Sequence, residues 1–437
     1  MERQRIKPSF YNMIIEKDDG LAVYNTSTGK MIRCFDDVDA VRKLLNVEVT
    51  DYSEKDPYIV KLYECGILVN ADRDEIHEIE EKEEKGDFSS YMQLILLPTE
   101  QCNFRCVYCY EKFERGKMSS ETQDAIVKYV EGNVDRFSGL NVIWFGGEPT
   151  EAMDVLESLS MRMLEVCKRK KKIYNAGITT NGYNLTLETF KKLKRMHVTE
   201  YQVTIDGLPD VHNSQRVLAS GEKTFDVIMD NLTKIKENVK SATITFVIRT
   251  NFSKGMLNHI DEFCKIIDEK LSDDKRFKYF WQMVGDYGYV KNENVRNLFG
   301  ESKDYEWLVK NYTNRILNNY TKALYGPEGG VCYAFKRSSI VIDSAGSIRK
   351  CTCDLDCDVN YFGEIGKFFD NRKHEEWMNQ RNIAENSSCH LCKKRPLCHN
   401  RACYKATKCL PNYAFFNQVL DQMAEDSVNY EIIGGVN

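Results

Sequence analysis

Between Met92 and Val284 the chain repeats one pattern six times, an apolar run of strand length followed by a polar or amphipathic stretch. The runs lie near Met92 to Leu97, Val142 to Phe145, Ala176 to Thr180, Tyr201 to Ile205, Thr243 to Ile248 and Lys278 to Val284. Helical spacing is clear over Glu121 to Val134, Asp154 to Lys170, Leu187 to Met196 and Phe225 to Val239. Strands that alternate with helices predict a parallel sheet with the helices packed outside it. Six units fall short of the eight that close a full barrel, so the expected core is an α/β fold, a partial (β/α)6 barrel over residues 86–325.

In βα barrels ligands bind at the loops that follow the strand C-termini. Polar motifs fall at those places here. Cys102-Asn103-Phe104-Arg105-Cys106-Val107-Tyr108-Cys109 follows the first strand and Gly146-Gly147-Glu148-Pro149 the second. Thr180-Asn181-Gly182, Asp206-Gly207 and Arg249-Thr250-Asn251 follow the next three, so all converge on one mouth. Three cysteine thiolates at this spacing on one loop suit three irons of a cubane 4Fe-4S cluster. The fourth iron is left without a protein ligand, open to a small molecule that chelates it.

With Tyr108 as its aromatic residue, the loop resembles the signature of the radical S-adenosylmethionine (radical SAM) superfamily. The resemblance implies that the open iron binds the amino and carboxylate groups of S-adenosylmethionine. One electron from the reduced cluster then gives methionine and a 5′-deoxyadenosyl radical. Gly146-Gly147-Glu148 is similar to the family's GGE motif and is assigned to the α-amino group: glycines permit close approach and a carboxylate complements an ammonium. Asn181 and Thr204 are candidates for the ribose hydroxyls, Arg216 for the methionine carboxylate, and Tyr108 with Tyr110 for the adenine. His212 is read as structural.

Sixteen cysteines stand in a chain whose first residues are followed by no apolar signal region. Disulfides are therefore not expected, and a cytoplasmic location is. Cys34, Cys65, Cys167 and Cys264 are scattered and read as buried small apolar residues. Nine crowd between Cys332 and Cys409, which calls for metal. Cys332, Cys351, Cys353 and Cys357, followed by Cys389, Cys392, Cys398, Cys403 and Cys409, resemble a SPASM domain over residues 326–437, with one extra residue before Cys403. That resemblance implies two auxiliary 4Fe-4S clusters, for three in all. Cys389, Cys392, Cys398 and Cys409 would hold the outer one; Cys332, Cys351 and Cys403 the inner one, its fourth ligand left open between Cys353, Cys357 and none. Structural zinc is the competing reading, because His390 and His399 sit among paired cysteines.

Residues 1–85 predict an α+β unit. Phe10 to Ile15 and Leu21 to Asn25 flank a Lys17-Asp18-Asp19-Gly20 hairpin turn, and Met31 to Phe35 supplies a third strand. Asp37 to Leu45 and Tyr58 to Cys65 show helical spacing, and Ile67-Leu68-Val69 returns as a strand. A unit of this kind ahead of a radical SAM core resembles the winged-helix-like RiPP recognition element, which binds the leader of a ribosomally made precursor peptide as an added strand. The run from Asp72 to Asp87 is almost wholly charged and predicts a solvated linker or exposed helix. A formal net charge of −5 gives no field for nucleic acid, and no apolar run approaches membrane-spanning length.

These features together predict a peptide maturase that crosslinks a precursor peptide, as a thioether or another macrocycle, with a one-electron donor such as flavodoxin or ferredoxin. The alternatives are an anaerobic sulfatase-maturing, formylglycine-generating enzyme and a non-catalytic iron-sulfur or zinc scaffold. Two departures separate the chain from the sulfatase-maturing group: residues ahead of the cysteine loop, and Thr352 where that group carries an aspartate.

Overall fold

The computed structural model describes residues 4–86, 89–284, 298–316, 326–379, 389–401, 416–425 and 431–433. Cys403 and Cys409, both expected ligands, lie outside these residues. The chain divides into two compact units: Met1–Phe88 with Val309–Phe335 and Gln380–Asn437, and Ser89–Leu308 with Lys336–Asn379.

The first unit opens with β1 (Arg5–Pro8), β2 (Asn12–Lys17), β3 (Gly20–Asn25) and β4 (Met31–Cys34). There follow α1 (Val38–Asn46), β5 (Thr50–Asp51), α2 (Pro57–Glu64), β6 (Leu68–Asn70) and α3 (Glu75–Lys85). β2 and β3 pair from Asn12↔Asn25 to Lys17↔Gly20, so the predicted hairpin forms, with Asp18-Asp19 as its two-residue loop and Gly20 as the first residue of β3. β4 extends this meander, while β1 pairs separately with β5 and β6. Helix α2 starts where Pro57 follows Asp56, whose carboxylate accepts from the amides of Tyr58 and Ile59 at 2.9 and 3.1 Å. Leu21, Val23, Ile32, Val41, Leu62 and Ile67 close the core between the sheets and these helices.

The charged run is α3, and its inward face is acidic. Glu75, Ile79 and Glu83, spaced four apart and so on one face, are all buried. Glu75 accepts from Ser9 Oγ at 2.6 Å and from the Phe10 amide at 2.8 Å. Charge density predicts a solvated stretch, but buried donors convert two of its carboxylates into core.

The second unit contains β7 (Tyr91–Leu96), α4 (Ser120–Asn133), β8 (Gly139–Trp144), α5 (Met153–Arg169), β9 (Ile173–Thr180) and α6 (Leu187–Arg195). It continues through β10 (Val198–Thr204), α7 (Pro209–Gln215), α8 (Phe225–Asn238), β11 (Thr245–Phe252), α9 (Ile260–Leu271) and β12 (Phe277–Met283). Helix α10 (Ser302–Ile316) follows, its residues up to Leu308 belonging to this unit and those from Val309 on to the first. β13 (Ser339–Ile342), β14 (Ser347–Arg349), β15 (Gly363–Glu364), β16 (Phe368–Phe369) and α11 (Asn371–Met378) complete it.

From β7 to β12 each strand pairs in parallel with the next, which is the expected six-stranded core. The sheet continues on its other side. The fully buried β13 pairs in parallel with β7, and β14, β15 and β16 add antiparallel strands, giving the order β12-β11-β10-β9-β8-β7-β13-β14-β15-β16. Cys351, Cys353 and Cys357 thus follow a hairpin anchored on the first barrel strand.

The chain returns to the first unit with α12 (Arg395–Cys398), α13 (Phe416–Glu425) and β17 (Glu431–Ile433). Leu397, Phe416, Val419, Leu420 and Met423 pack on Ala22, Tyr24 and Met31 in a second apolar cluster. β17 lies parallel beside β4, so the sheet runs β17-β4-β3-β2. Among the described residues no helix is long and apolar enough to cross a membrane.

Candidate functional site

The cysteine loop is held from two sides. Arg105 and Val107 donate backbone N–H groups to Val217 and Gln215 at 2.9 Å each, and Ala219 donates to Asn103 at 2.8 Å. The loop is therefore laced to the segment that follows α7 and carries Arg216. On the other side Gly146, at φ 109°, and Gly147 press against the residues that lead into Cys102. A Cβ on Gly147 would stand 2.4 Å from the Gln101 carbonyl oxygen and 2.5 Å from that of Glu100. The glycine pair thus serves close packing of backbone on backbone, and Gly146 takes the unusual dihedral that glycine permits; the sequence suggested that freedom and approach to a ligand, not this packing.

Cys102 and Cys106 are partly buried and Cys109 is exposed. Cys102 Sγ accepts from the Phe104 amide at 3.3 Å, with the Asn181 side-chain amide at 3.9 Å. Burial pushes the Cys102 thiol up to about 12, and Cys106 is raised for the same reason with Arg216 opposing it. A metal's positive charge would reverse that direction. Among the described residues no three cysteine, histidine or carboxylate groups converge on a single-ion site. A cubane does not need them to, since each thiolate binds a different corner; three cysteines on one loop with an N–H donor at the first sulfur suit its open-cornered form.

Glu148 is fully buried. Its Oε1 accepts from the Thr150 amide at 3.1 Å, Thr150 Oγ1 at 2.6 Å and Thr180 Oγ1 at 2.7 Å, and its Oε2 accepts from the Asn181 amide at 2.8 Å. These bonds tie the end of β8 to the end of β9. Burial nevertheless raises its carboxyl above the usual carboxylate range, and among the described residues no Lys, Arg or His lies within ion-pair distance of it. Oε2 keeps acceptor capacity for a cation. Asn181 spends its side chain inside the protein, donating to Asn103 Oδ1 at 2.7 Å and accepting from the Tyr183 amide at 2.9 Å. Thr204 ends β10 and is buried.

Asp206, fully buried beyond β10, is the hub of a network the sequence located without a role. It accepts from the Asn251 amide at 2.9 Å, from Asn251 Nδ2 at 3.2 Å and from the Tyr108 hydroxyl. Arg216 donates to that hydroxyl at 2.8 Å and stands 3.7 Å from the Asp206 carboxylate. Tyr108 is therefore tied by its hydroxyl to the countercharge of Arg216. Asn251 lies within β11, which runs past its expected end to Phe252. His212, fully buried, accepts from the Asp206 amide at Nδ1 at 3.1 Å, which assigns its proton to Nε2. Burial, with Arg216 nearby, holds its pKa well below the ordinary value, so the imidazole is neutral. The signal that would have found Asp206 is the need of a buried arginine for a carboxylate.

Residues 96–264 match the radical SAM superfamily. The chain carries a radical SAM domain. The matched stretch runs from the end of β7 into α9 and contains all three loop cysteines, Glu148, Asp206 and Arg216. A cysteine-type anaerobic sulfatase-maturating enzyme of Clostridium novyi is 22% identical over 340 residues, 71% of this chain and 87% of that protein. Fe-coproporphyrin III synthase of Methanosarcina barkeri is 27% identical over 172 residues, 39% of this chain. The match spans only 40% of that synthase and 37% of a tungsten-containing aldehyde ferredoxin oxidoreductase cofactor-modifying protein of Pyrococcus furiosus. Among solved structures, anSMEcpe with bound AdoMet and a Kp18Cys peptide superposes at TM-score 0.58 and 20% identity, covering 77% of this chain and 98% of that one. Streptococcus suis SuiB bound to S-adenosylmethionine superposes at TM-score 0.50 and 17% identity, covering 91% and 95%. At these identities the two likenesses speak for the fold.

The C-terminal cysteines fall in both units: Cys332, Cys389, Cys392 and Cys398 in the first, Cys351, Cys353 and Cys357 in the second. In the first, the Cys332 amide donates to the Arg401 carbonyl at 2.9 Å, and the Arg401 amide to that of Cys398 at 2.7 Å. His390 pairs with Glu80 at 3.0 Å, and His399 is buried, which lowers it to about 3. In the second, hydrogen bonds from Cys351, Thr352 and Tyr110 lower the Cys353 thiol to about 6 against its burial. Cys353 shares a pocket with Tyr110, Glu111 and Arg115, close to the cysteine loop.

Proposed function

We propose that this chain is a radical SAM peptide maturase of the cytoplasm that installs an intramolecular crosslink in a ribosomally made precursor peptide. When bound and reduced, a 4Fe-4S cluster on Cys102, Cys106 and Cys109 with S-adenosylmethionine supplies a 5′-deoxyadenosyl radical. The observation that carries the first half of this reading is Glu148, a buried carboxylate with no protein cation among the described residues, beside the loop that bears the cysteines. An ammonium is the group that site lacks. Arg216, oriented by Tyr108 and Asp206, offers a guanidinium to a carboxylate.

Glu148→Gln is expected to weaken S-adenosylmethionine binding about 10- to 100-fold, the loss of a charge-assisted hydrogen bond in a buried site. Equilibrium dialysis with reconstituted protein measures it. Methylthioadenosine, which lacks the ammonium, should bind both proteins alike. Equal loss for both ligands would make Glu148 a structural tie between two strands and nothing more.

The peptide half is supported by the sheet-containing N-terminal part of the first unit and by the peptide bound in the anSMEcpe structure. One hydrogen leaves as an atom to the radical and a second as a proton when the crosslink closes. Auxiliary clusters would supply an acceptor for the electron left over; we assign Cys389, Cys392, Cys398 and Cys409 to one, and Cys332, Cys351 and Cys403 to the other, with Cys353, Cys357 or no protein group as its fourth ligand. A flavodoxin or ferredoxin supplies the activating electron. The test is mass spectrometry of short peptides encoded beside this gene after anaerobic incubation with enzyme, reductant and S-adenosylmethionine. Loss of two hydrogens per crosslink, with fragmentation suppressed between the joined residues, is the expected result.

A second reading, sulfatase maturation, is favoured by the alignment over 87% of the Clostridium novyi enzyme. Thr352 weighs against it, and SuiB covers more of this chain than anSMEcpe does, 91% against 77%. Conversion of a sulfatase-derived serine or cysteine peptide to an aldehyde, with no neighbouring peptide changed, would establish it instead.

A further inference from the structure

The outer edge of β4 is already taken. β17 pairs with it in parallel at Glu431↔Ile32, Ile432↔Arg33 and Ile433↔Cys34. Beside this edge Glu431 forms an ion pair with Lys61 of α2, both side chains partly exposed at 45% and 35%. Lys30, whose ammonium reaches the Glu64 carbonyl at 3.0 Å, adds positive charge near the same carboxylate, and together the two lysines hold it below the ordinary carboxylate range. The edge therefore offers two things to an extended chain: a row of backbone groups and a cationic seat. Its present occupant is poorly anchored. Three parallel residues form a short ladder of the less stable kind, and a partly exposed ion pair holds weakly.

We infer that the β4 edge is the seat for an extended, carboxylate-bearing segment of the precursor peptide, and that the chain's own C-terminal strand occupies it until the peptide displaces it. The inference rests on the peptide-modifying reading above. Strand exchange is inexpensive here because the incoming segment replaces the ladder it removes, and Lys61 exchanges one carboxylate for another. β17 then acts as a tethered competitor. It lowers apparent affinity by the fraction of molecules whose edge is free and so excludes peptides that lack the acidic residue.

The test uses a fluorescein-labelled synthetic peptide with the sequence of residues 429–437 as probe, read by anisotropy. A chain ending at Tyr430 is expected to bind it roughly tenfold or more tightly than the full chain, since a tethered strand competes at high effective concentration. Lys61→Glu in the shortened chain should abolish that gain. Glu431→Lys in the full chain, which sets like charges together without removing the strand, should reproduce part of it and decides the matter if the shortened chain does not fold. If folded Glu431→Lys and shortened chains bind the probe no better than the parent, strand exchange is wrong. A concentration-dependent dimer of the parent that vanishes on truncation would give the edge to a second copy's C-terminus and also overturn it. The precursor crosslinking assay is independent: crosslinking without a gain in probe binding rejects only the exchange, and a gain without crosslinking rejects only the proposed reaction.

Discussion

Gly147→Ala is expected to cost the protein both the iron held by the cysteine loop and its ability to cleave S-adenosylmethionine. The new Cβ would meet the carbonyl oxygens of Gln101 and Glu100 at 2.4 and 2.5 Å, and both belong to backbone. A flexible side chain would swing aside; backbone must shift, and here it carries Cys102 with it. The Glu148 amide donates to the same Gln101 carbonyl at 2.9 Å, so the shift also disturbs the residue proposed to meet the ammonium. A misplacement of about 1 Å in a reacting arrangement can cost on the order of 10²-fold in rate. Iron per chain after anaerobic reconstitution and 5′-deoxyadenosine formation measure the two losses. Gly116→Ala, whose Cβ would meet nothing within 4 Å, is the control. Parental iron content and rate in Gly147→Ala would show that the close approach is not needed.

Arg395→Ala should destabilise the first unit by about 3 to 5 kcal/mol, because it leaves a buried carboxylate without its partner. Arg395 Nε and Nη2 donate to the two oxygens of Glu83 at 2.8 Å each, with side-chain exposures of 11% and 5%. Arg401 also donates to the Glu83 carbonyl at 2.6 Å. Lysine at 395 cannot reproduce the two-point geometry and should recover only part of the loss. A Glu83→Leu, Arg395→Met pair should recover most of it, since an apolar pair carries no desolvation penalty. Urea denaturation read by circular dichroism gives the numbers, and a loss below about 1 kcal/mol, the range of exposed ion pairs, would refute the argument. The same contacts bear on truncation. Removing residues 1–85 would strip Ala22, Tyr24 and Met31 from beneath Leu397, Phe416 and Leu420, together with Glu83. Loss of peptide modification in such a truncation would therefore report collapse around Cys389, Cys392 and Cys398 as much as loss of recognition.

The parallel core was legible because its signal is local. Six apolar runs followed by polar stretches name six βα units, and the strand ends moved by only a few residues. The hairpin at Asp18-Asp19 and the buried, scattered cysteines were legible for the same reason. Long-range pairing was not. Nothing in Ser339 to Ile342 says that it joins β7, because a fully buried strand of four residues reads alike in any sheet. The acidic face of α3 was hidden too, since charge counting assigns Glu75 and Glu83 to solvent until their buried partners are known.

By itself, then, the amino-acid sequence determined the α/β class, the place of the cysteine loop at the strand C-termini, and the donor types gathered there. Periodicity and residue chemistry are properties of neighbours in the chain. Only the tertiary structure decided that Gly147 packs on the backbone before Cys102, that Asp206 binds Tyr108 beside Arg216, and that β17 borders β4. Each of these joins residues tens to hundreds of positions apart, and such contacts are selected by the packing of the whole chain rather than by any stretch of it.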